Sequence, residues 1–170
     1  MRTRQARLAD IPAIHQLIEH YVAEGILLPR DEDDIRRHLR GFIVAVEDGK
    51  MAGCVSLEWY NPMLAEVRSL AVDPALRGRG LGVRLVKAAL DLGDRRRIAR
   101  VFALTSVPEF FLRQGFSLST RHSLHEKIDR DCIHCSKAQT CKLAAVVVDL
   151  AAARSALHVL HTISEPVSVE

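Results

Sequence analysis

The chain has 170 residues, a formal net charge of +3 and four cysteines. Apolar residues make up 48% and charged residues 26%, the balance of one globular domain large enough for a proper core. That balance excludes a disordered polyelectrolyte and a disulfide-stapled secreted mini-protein. The mild charge, interrupted by acids, gives no reason to expect a nucleic-acid partner.

Residues 2–8 read as a first strand. Asp10 is placed to cap a helix whose Ile11, Ile14, Ile18 and Tyr21 share one face, with Gly25 as its stop. An unusually apolar loop, Ile26-Leu27-Leu28-Pro29-Arg30, leads to acids at 31–34. These suit the start of a second helix with Ile35, Leu39 and Phe42 facing inward. Strands over 42–47 and 51–60 flank the hairpin turn Asp48-Gly49-Lys50, and Asn61-Pro62 breaks the chain before a strand over 65–72. A helix then carries Leu81, Leu85, Ala88 and Leu92 on one side and ends near Gly93. A strand over 98–105, a short helix over 108–114 and a β region closing with a strand over 144–150 complete the order. This predicts a single-domain α/β fold with a mixed central sheet flanked by helices, over residues 1–150. Residues 151–170 read as a C-terminal appendage, partly helical or frayed.

The N-terminal MRTRQARLADIP lacks the apolar stretch of a signal peptide. The most apolar long window, 143–160, is interrupted by Asp149, Arg154 and His158, which argues against a membrane span. A cytoplasmic protein with no membrane partner is expected, with a homodimer left open.

The segment around Arg77-Gly78-Arg79-Gly80-Leu81-Gly82 carries the most chemistry. A β-branched run ends at Asp73-Pro74, the glycine-rich turn follows, and a helical pattern begins. Backbone N–H groups at such a turn and helix start lack intrahelical acceptors, and the helix dipole adds positive potential. Glycines let a pyrophosphate approach the backbone closely. Neither the dinucleotide fingerprint nor the phosphate loop of nucleotide hydrolases fits.

The hexapeptide resembles, position by position, the cofactor motif of the GNAT-type N-acetyltransferases, whose turn holds the pyrophosphate of acetyl-CoA. Glu109 to Phe116 is similar to the late helix of that family ending in Gly-Phe. Four stretches resemble more specifically the acetyltransferase domain of bacterial N-acetylglutamate synthases. They are Gly25 to Arg30, Ala65 to Arg68, Val101 to Thr105 and Leu124 to Cys132. The resemblance covers about residues 2–150 and is to a short form without the amino-acid-kinase-like domain, so feedback by arginine through that domain is not assumed.

The resemblance implies a GNAT fold, acetyl-CoA as co-substrate and direct transfer of acetyl to the α-amine of L-glutamate, the first step of arginine biosynthesis. An amine attacks only when neutral, so a base must take its proton. Glu66 matches the family position for that role; the alternative is a surface carboxylate paired with Arg68. Backbone N–H groups near Leu70, Ala71 and Val72 are implied to stabilise the thioester oxygen as it gains charge. The tyrosine often found in the last motif as a thiolate acid is replaced by Phe111, which cannot donate. Thr105 or Ser106 could substitute, or the thiolate could leave unaided, a thiol of pKa about 8.5 being a fair leaving group. Arg30 matches a substrate-carboxylate position, and Lys127 and Arg68 are further candidates.

Cys132, Cys135 and Cys141 leave a zinc cluster as an alternative, but the segment lacks a second closely spaced pair, so no metal is expected. Two other functional readings stay open. One is a GNAT enzyme for another amine: glutamine, a different amino acid or a peptide N-terminus. The other is a non-catalytic acetyl-CoA-sensing module.

Overall fold

The computed structural model describes residues 1–155. Its strands are β1 (Arg2–Gln5), β2 (Phe42–Glu47), β3 (Lys50–Asn61), β4 (Leu64–Val72), β5 (Arg100–Thr105), β6 (Ser117–Ser119) and β7 (Ala144–Asp149). Its helices are α1 (Ile11–Ala23), α2 (Glu32–Arg37), α3 (Leu81–Arg95), α4 (Pro108–Leu112) and α5 (His125–Arg130). The strands form one sheet in the order β1-β2-β3-β4-β5-β7-β6. Only the β4–β5 pair is parallel, with α3 as its crossover; the other neighbours run antiparallel.

Period-two alternation sorts the strand residues between two layers. Ile43, Val55, Leu57, Ala65, Val67, Val101 and Ala103 pack with Leu81, Leu85 and Ala89 of α3. The alternate residues Phe42, Val44 and Cys54 pack with Ile11, Ile14, Ile18 and Tyr21 of α1. Those four α1 side chains are all buried, each contributing about 1.5–3 kcal/mol of apolar transfer. A third cluster joins Leu64 and Phe102 to Leu124 ahead of α5.

Three local expectations are corrected. Asp10 does not cap α1: its carboxylate pairs with Arg4 at 2.6 Å and accepts the Arg7 N–H at 2.7 Å. Gly93 does not end α3, which continues to Arg95. It is buried at a close approach, where a Cβ would stand 3.2 Å from Leu150 and 3.4 Å from Val101. The reversal comes at Arg97, with φ of 59°. Finally, the region between β6 and β7 holds α5, although residues 116–143 read as β. Of its six residues Lys127 alone is buried, too little for a helical period to stand out.

The expected appendage begins as helix over residues 150–155, anchored by the Leu150 N–H on the Ala99 carbonyl at 2.8 Å and by Arg154 on Asp94 at 2.7 Å. Residues 156–170 of that expectation lie outside the described residues.

Candidate active site

β4 and β5 pair only from Leu64 to Glu66 and from Arg100 to Phe102, and then separate. The gap between their C-terminal halves is part of a cavity of about 260 Å³. Ser69 and Leu70 of β4 line one side; Ala103, Thr105 and Ser106 at the end of β5 line the other. A bulge in β4 adds to the separation. Arg68 is in register with Ser56 and Ala71 with Cys54, so Ser69 and Leu70 together oppose Val55. Ser69 takes a φ of 51°, and its carbonyl accepts the Cys54 thiol at 3.6 Å. Leu70 therefore sits outside the β3 register and borders the cavity, whereas Ala71 and Val72 remain paired with Cys54 and Gly53.

Because α3 follows β4 directly, its N-terminus lies at the end of the sheet where the two strands part. Gly80 precedes it with φ of 73°, a left-handed conformation that a residue with Cβ adopts only under strain. The Arg84 N–H bonds the Gly80 carbonyl, so Leu81, Gly82 and Val83 offer amides without intrahelical acceptors. No atom comes within 4 Å of the Cβ positions of Gly78 or Gly80, leaving the turn open to a phosphate-bearing group. Arg77 donates to the Tyr21 hydroxyl at 3.1 Å and stacks over its ring, while Arg79 pairs with Glu47 at 3.1 Å. This cradle could hold the diphosphate of the expected acetyl-CoA, and the adjoining gap its thioester arm.

Alternation also builds the acceptor side. Glu58 and Tyr60 on β3, and Glu66 and Arg68 on β4, point to one face of the sheet, with Glu58 directly opposite Glu66. Glu66 is buried, so it is not the surface carboxylate considered above. Its Oε2 accepts from the Tyr60 hydroxyl at 2.7 Å and from Lys127 Nζ at 2.9 Å, with Arg68 Nε at 3.6 Å. Lys127 reaches Asp131 at 2.8 Å, one helical turn along the chain, and Tyr60 reaches the same Asp131 oxygen at 2.6 Å. Arg68 bonds Glu58 at 3.1 Å, and Arg130 bonds Glu58 at 2.6 Å while lying over the Tyr60 ring. Burial alone would raise the Asp131 carboxyl, but hydrogen bonds from Arg130, Lys127 and Tyr60 hold it below the usual carboxylate range. Burial, the charge on Glu66 and the bond to Asp131 push the Tyr60 hydroxyl well above its ordinary value, so the phenol stays neutral.

Arg30 enters this cluster from the apolar loop after α1. The Ile26 and Leu27 amides both bond the Tyr21 carbonyl, fixing the loop against the helix end. Asp31 then caps α2 by accepting the Asp34 N–H at 2.7 Å. Asp34 in turn holds Arg30 Nε, and Arg30 Nη2 reaches Glu58 at 3.2 Å. The Arg30 side chain is 5% exposed, and its Nη1 has no hydrogen-bond partner although Arg30 borders the cavity. Arg68 and Lys127 border it too, but both are matched by carboxylates.

Thr105 is buried at the end of β5, its Oγ1 accepting the Val107 N–H at 3.0 Å; Ser106 beside it is exposed. Phe111 packs edge-on between Phe110 and Phe116, with ring centroids 5.1 and 5.2 Å away. Cys132, Cys135 and Cys141 are free, half-buried and border the cavity. Among the described residues no group of three or more His, Cys, Asp or Glu side chains is disposed to hold a metal.

Glu58, Tyr60, Arg130 and Asp131 were absent from the sequence-derived candidates. For the first two a signal existed: the hairpin at Asn61-Pro62 with period-two spacing puts them on the face of Glu66 and Arg68. Arg130 and Asp131 arrive from about 70 residues away, and no local pattern announces that contact.

The Acetyltransferase (GNAT) family model matches residues 10–116, and the chain belongs to that family. An uncharacterized N-acetyltransferase of Chlorobaculum tepidum is 40% identical over 147 residues, 86% of this chain and 95% of that protein. An amino-acid acetyltransferase of Mycobacterium tuberculosis is 38% identical over 117 residues, 67% of each chain. The crystal structure of N-acetylglutamate synthase from Neisseria gonorrhoeae, complexed with coenzyme A and N-acetyl-glutamate, superposes with a TM-score of 0.76 at 28% identity. The match covers 88% of this chain and 35% of that one. This chain is thus a GNAT domain homologous to the acetyltransferase domain of that synthase, an acetyl-CoA-dependent N-acetyltransferase with a mixed seven-stranded sheet. Among the described residues no helix is long and apolar enough to cross a membrane.

Proposed function

We propose that this acetyltransferase acts on the α-amine of free L-glutamate, making N-acetylglutamate as the first step of arginine biosynthesis in the cytoplasm. The observation that carries the reading is Arg30, a cation bordering the cavity whose buried Nη1 has no hydrogen-bond partner. A buried charged donor without an acceptor costs free energy, and a small turn of the guanidinium toward a substrate carboxylate in the cavity removes that cost. N-acetyl-glutamate, bound in the crystal structure of the Neisseria gonorrhoeae synthase, supports the same acceptor.

Acetyl-CoA, when bound, supplies an acyl group activated as a thioester. Everything else falls to the chain. Arg30 orients the acceptor by its carboxylate, with Arg68 and Lys127 supplying positive potential nearby. Glu66, on the strand bordering the gap, takes the ammonium proton so that the amine lone pair is free to attack. The Leu70 amide, outside the β3 ladder, is the donor best placed for the thioester oxygen, with Ala71 and Val72 fixing the strand behind it. Thr105 or Ser106 could return a proton to the departing sulfur, a step that a good thiolate leaving group does not require.

The test is a competition. Enzyme, acetyl-CoA and an equimolar mixture of amino acids and a short peptide are incubated, and the acetylated products are identified by mass. N-acetylglutamate as the dominant product is expected; acetylglutamine or an acetylated peptide in excess contradicts the assignment.

A further inference from the structure

We propose that Tyr60 and Asp131 form a proton relay that empties Glu66 after each acetyl transfer. The inference rests on Glu66 being the base, and extends it to the fate of the proton. A base that accepts one proton per turnover must lose it before the next. Glu66 is poorly placed to do so alone, since its side chain is 4% exposed, whereas Asp131, bordering the same cavity, is 25% exposed.

The Tyr60 hydroxyl bridges two carboxylates, at 2.7 Å from Glu66 Oε2 and 2.6 Å from Asp131 Oδ2. A phenol has one proton and can donate it to only one of them at a time. With both carboxylates ionised, one of the two short contacts sets oxygen lone pairs against each other. With a proton on Glu66, both contacts become hydrogen bonds: Glu66 donates to the Tyr60 oxygen, and Tyr60 donates to Asp131. The geometry therefore suits the state that follows deprotonation of the amine.

From there the transfer balances. The O–H bond of Glu66 breaks as a new one forms on the Tyr60 oxygen, while the original Tyr60 O–H breaks and its proton bonds to Asp131. Tyr60 is neutral before and after, in keeping with a hydroxyl that resists ionisation. Asp131 is 25% exposed and is surrounded by Lys127, Arg130 and Arg68, within 2.8, 3.0 and 3.5 Å, so it passes the proton on to water readily. Rotation of the phenol proton back toward Asp131 resets the chain. Arg130 over the Tyr60 ring, with Cζ 3.6 Å from the centroid, and the Phe102 ring, with centroids 5.5 Å apart, keep the phenol in line.

The experiment compares Tyr60→Phe, Asp131→Asn, the double variant and Glu66→Gln by steady-state kinetics in H2O and D2O, at low and high imidazole. Tyr60→Phe is expected to lower kcat about 10²-fold, the low end for losing a positioned proton-transfer group. It should raise the solvent isotope effect on kcat and leave kcat/KM for glutamate within about two-fold. Imidazole, carrying the proton in place of the relay, should restore kcat of the variant without affecting wild type. Asp131→Asn should behave alike, and the double variant no worse than Tyr60→Phe. Wild-type kcat in Tyr60→Phe beside a strongly impaired Glu66→Gln overturns the relay alone, and so does a kcat loss that imidazole does not restore. A Glu66→Gln enzyme of normal kcat instead removes the base assignment on which the relay rests.

Discussion

Replacing Arg30 separates binding of the acceptor from binding of the cofactor, and the structure sets the size of the effect. In Arg30→Ala the fold keeps its charge balance. Glu58 retains Arg68 at 3.1 Å and Arg130 at 2.6 Å, and Asp34 retains Arg37 at 3.4 Å and His38 at 3.2 Å. What disappears is a cation bordering the cavity whose Nη1 has no protein partner. A hydrogen bond to a charged group contributes about 1.5–3 kcal/mol, which at about 1.4 kcal/mol per decade is about 10- to 150-fold in the glutamate KM. The acetyl-CoA KM should stay within about two-fold, because the ion pairs of Arg30 are to Asp34 and Glu58 and not to the turn before α3. Arg30→Lys should not rescue. A single ammonium can satisfy Asp34 or Glu58, but it has no rigid fork with which to present a further donor to the cavity. Thiol release with glutamate varied at saturating acetyl-CoA, and the converse, measures both constants. Equal rises in the two KM values would make Arg30 structural, and an unchanged glutamate KM would refute the reading of its free nitrogen.

Three further outcomes follow from other parts of the molecule. Gly80→Val places a β-branched residue at φ of 73° where the diphosphate is expected, and calorimetry should find acetyl-CoA affinity reduced at least 10-fold; unchanged affinity would locate the cofactor elsewhere. The Asp10 carboxyl is held below its ordinary value mainly by its hydrogen bonds from Arg4, against an opposing effect of burial. Its contribution is complete above the unfolded pKa of ~3.9 and is lost as pH falls below that, so Asp10→Asn should lower Tm at pH 7 and converge with wild type near pH 2; a constant gap would exclude the linkage. Burial pushes the Cys54 thiol up to about 12, so native alkylation at pH 8 should spare Cys54 while labelling Cys135 and Cys141, and extensive chelation should leave turnover intact. Stoichiometric zinc retained through purification would overturn the second half of that expectation.

Local patterns carried the sequence reading far. The stripe Ile11, Ile14, Ile18, Tyr21 is buried as its spacing requires, and the Asp48-Gly49 turn and the glycine-rich entry to α3 stand where their residues demand left-handed backbone. Failures occurred where tertiary context outweighs local preference. Gly93 resembles a helix stop, yet it is a packing contact against Val101 of the next strand and Leu150 from the far end of the chain. The bulge puts Ser69 at φ of 51° in the middle of a strand pattern, held there by register on both sides and announced by no flanking turn residue. In the site, Glu66 and Arg30 were legible through resemblance, and Glu58 and Tyr60 through strand period. Asp131 and Arg130 were not, because α5 closes over the sheet from a segment whose sequence gives no hint of its partner.

The central claim is that a buried carboxylate on the strand bordering the gap deprotonates the amine of a free amino acid. The pH–rate profile of Glu66→Gln with glutamate tests it most directly. The amine is mostly protonated at neutral pH, so kcat should fall about 10²-fold or more there, the usual scale for losing a general base. The defect should shrink as pH rises toward the pKa of the amine, where neutral nucleophile forms without help, while Thr105→Val remains milder throughout. A Glu66→Gln enzyme with near-normal kcat across that range would contradict the account, because the proton would then leave by a route that does not involve Glu66.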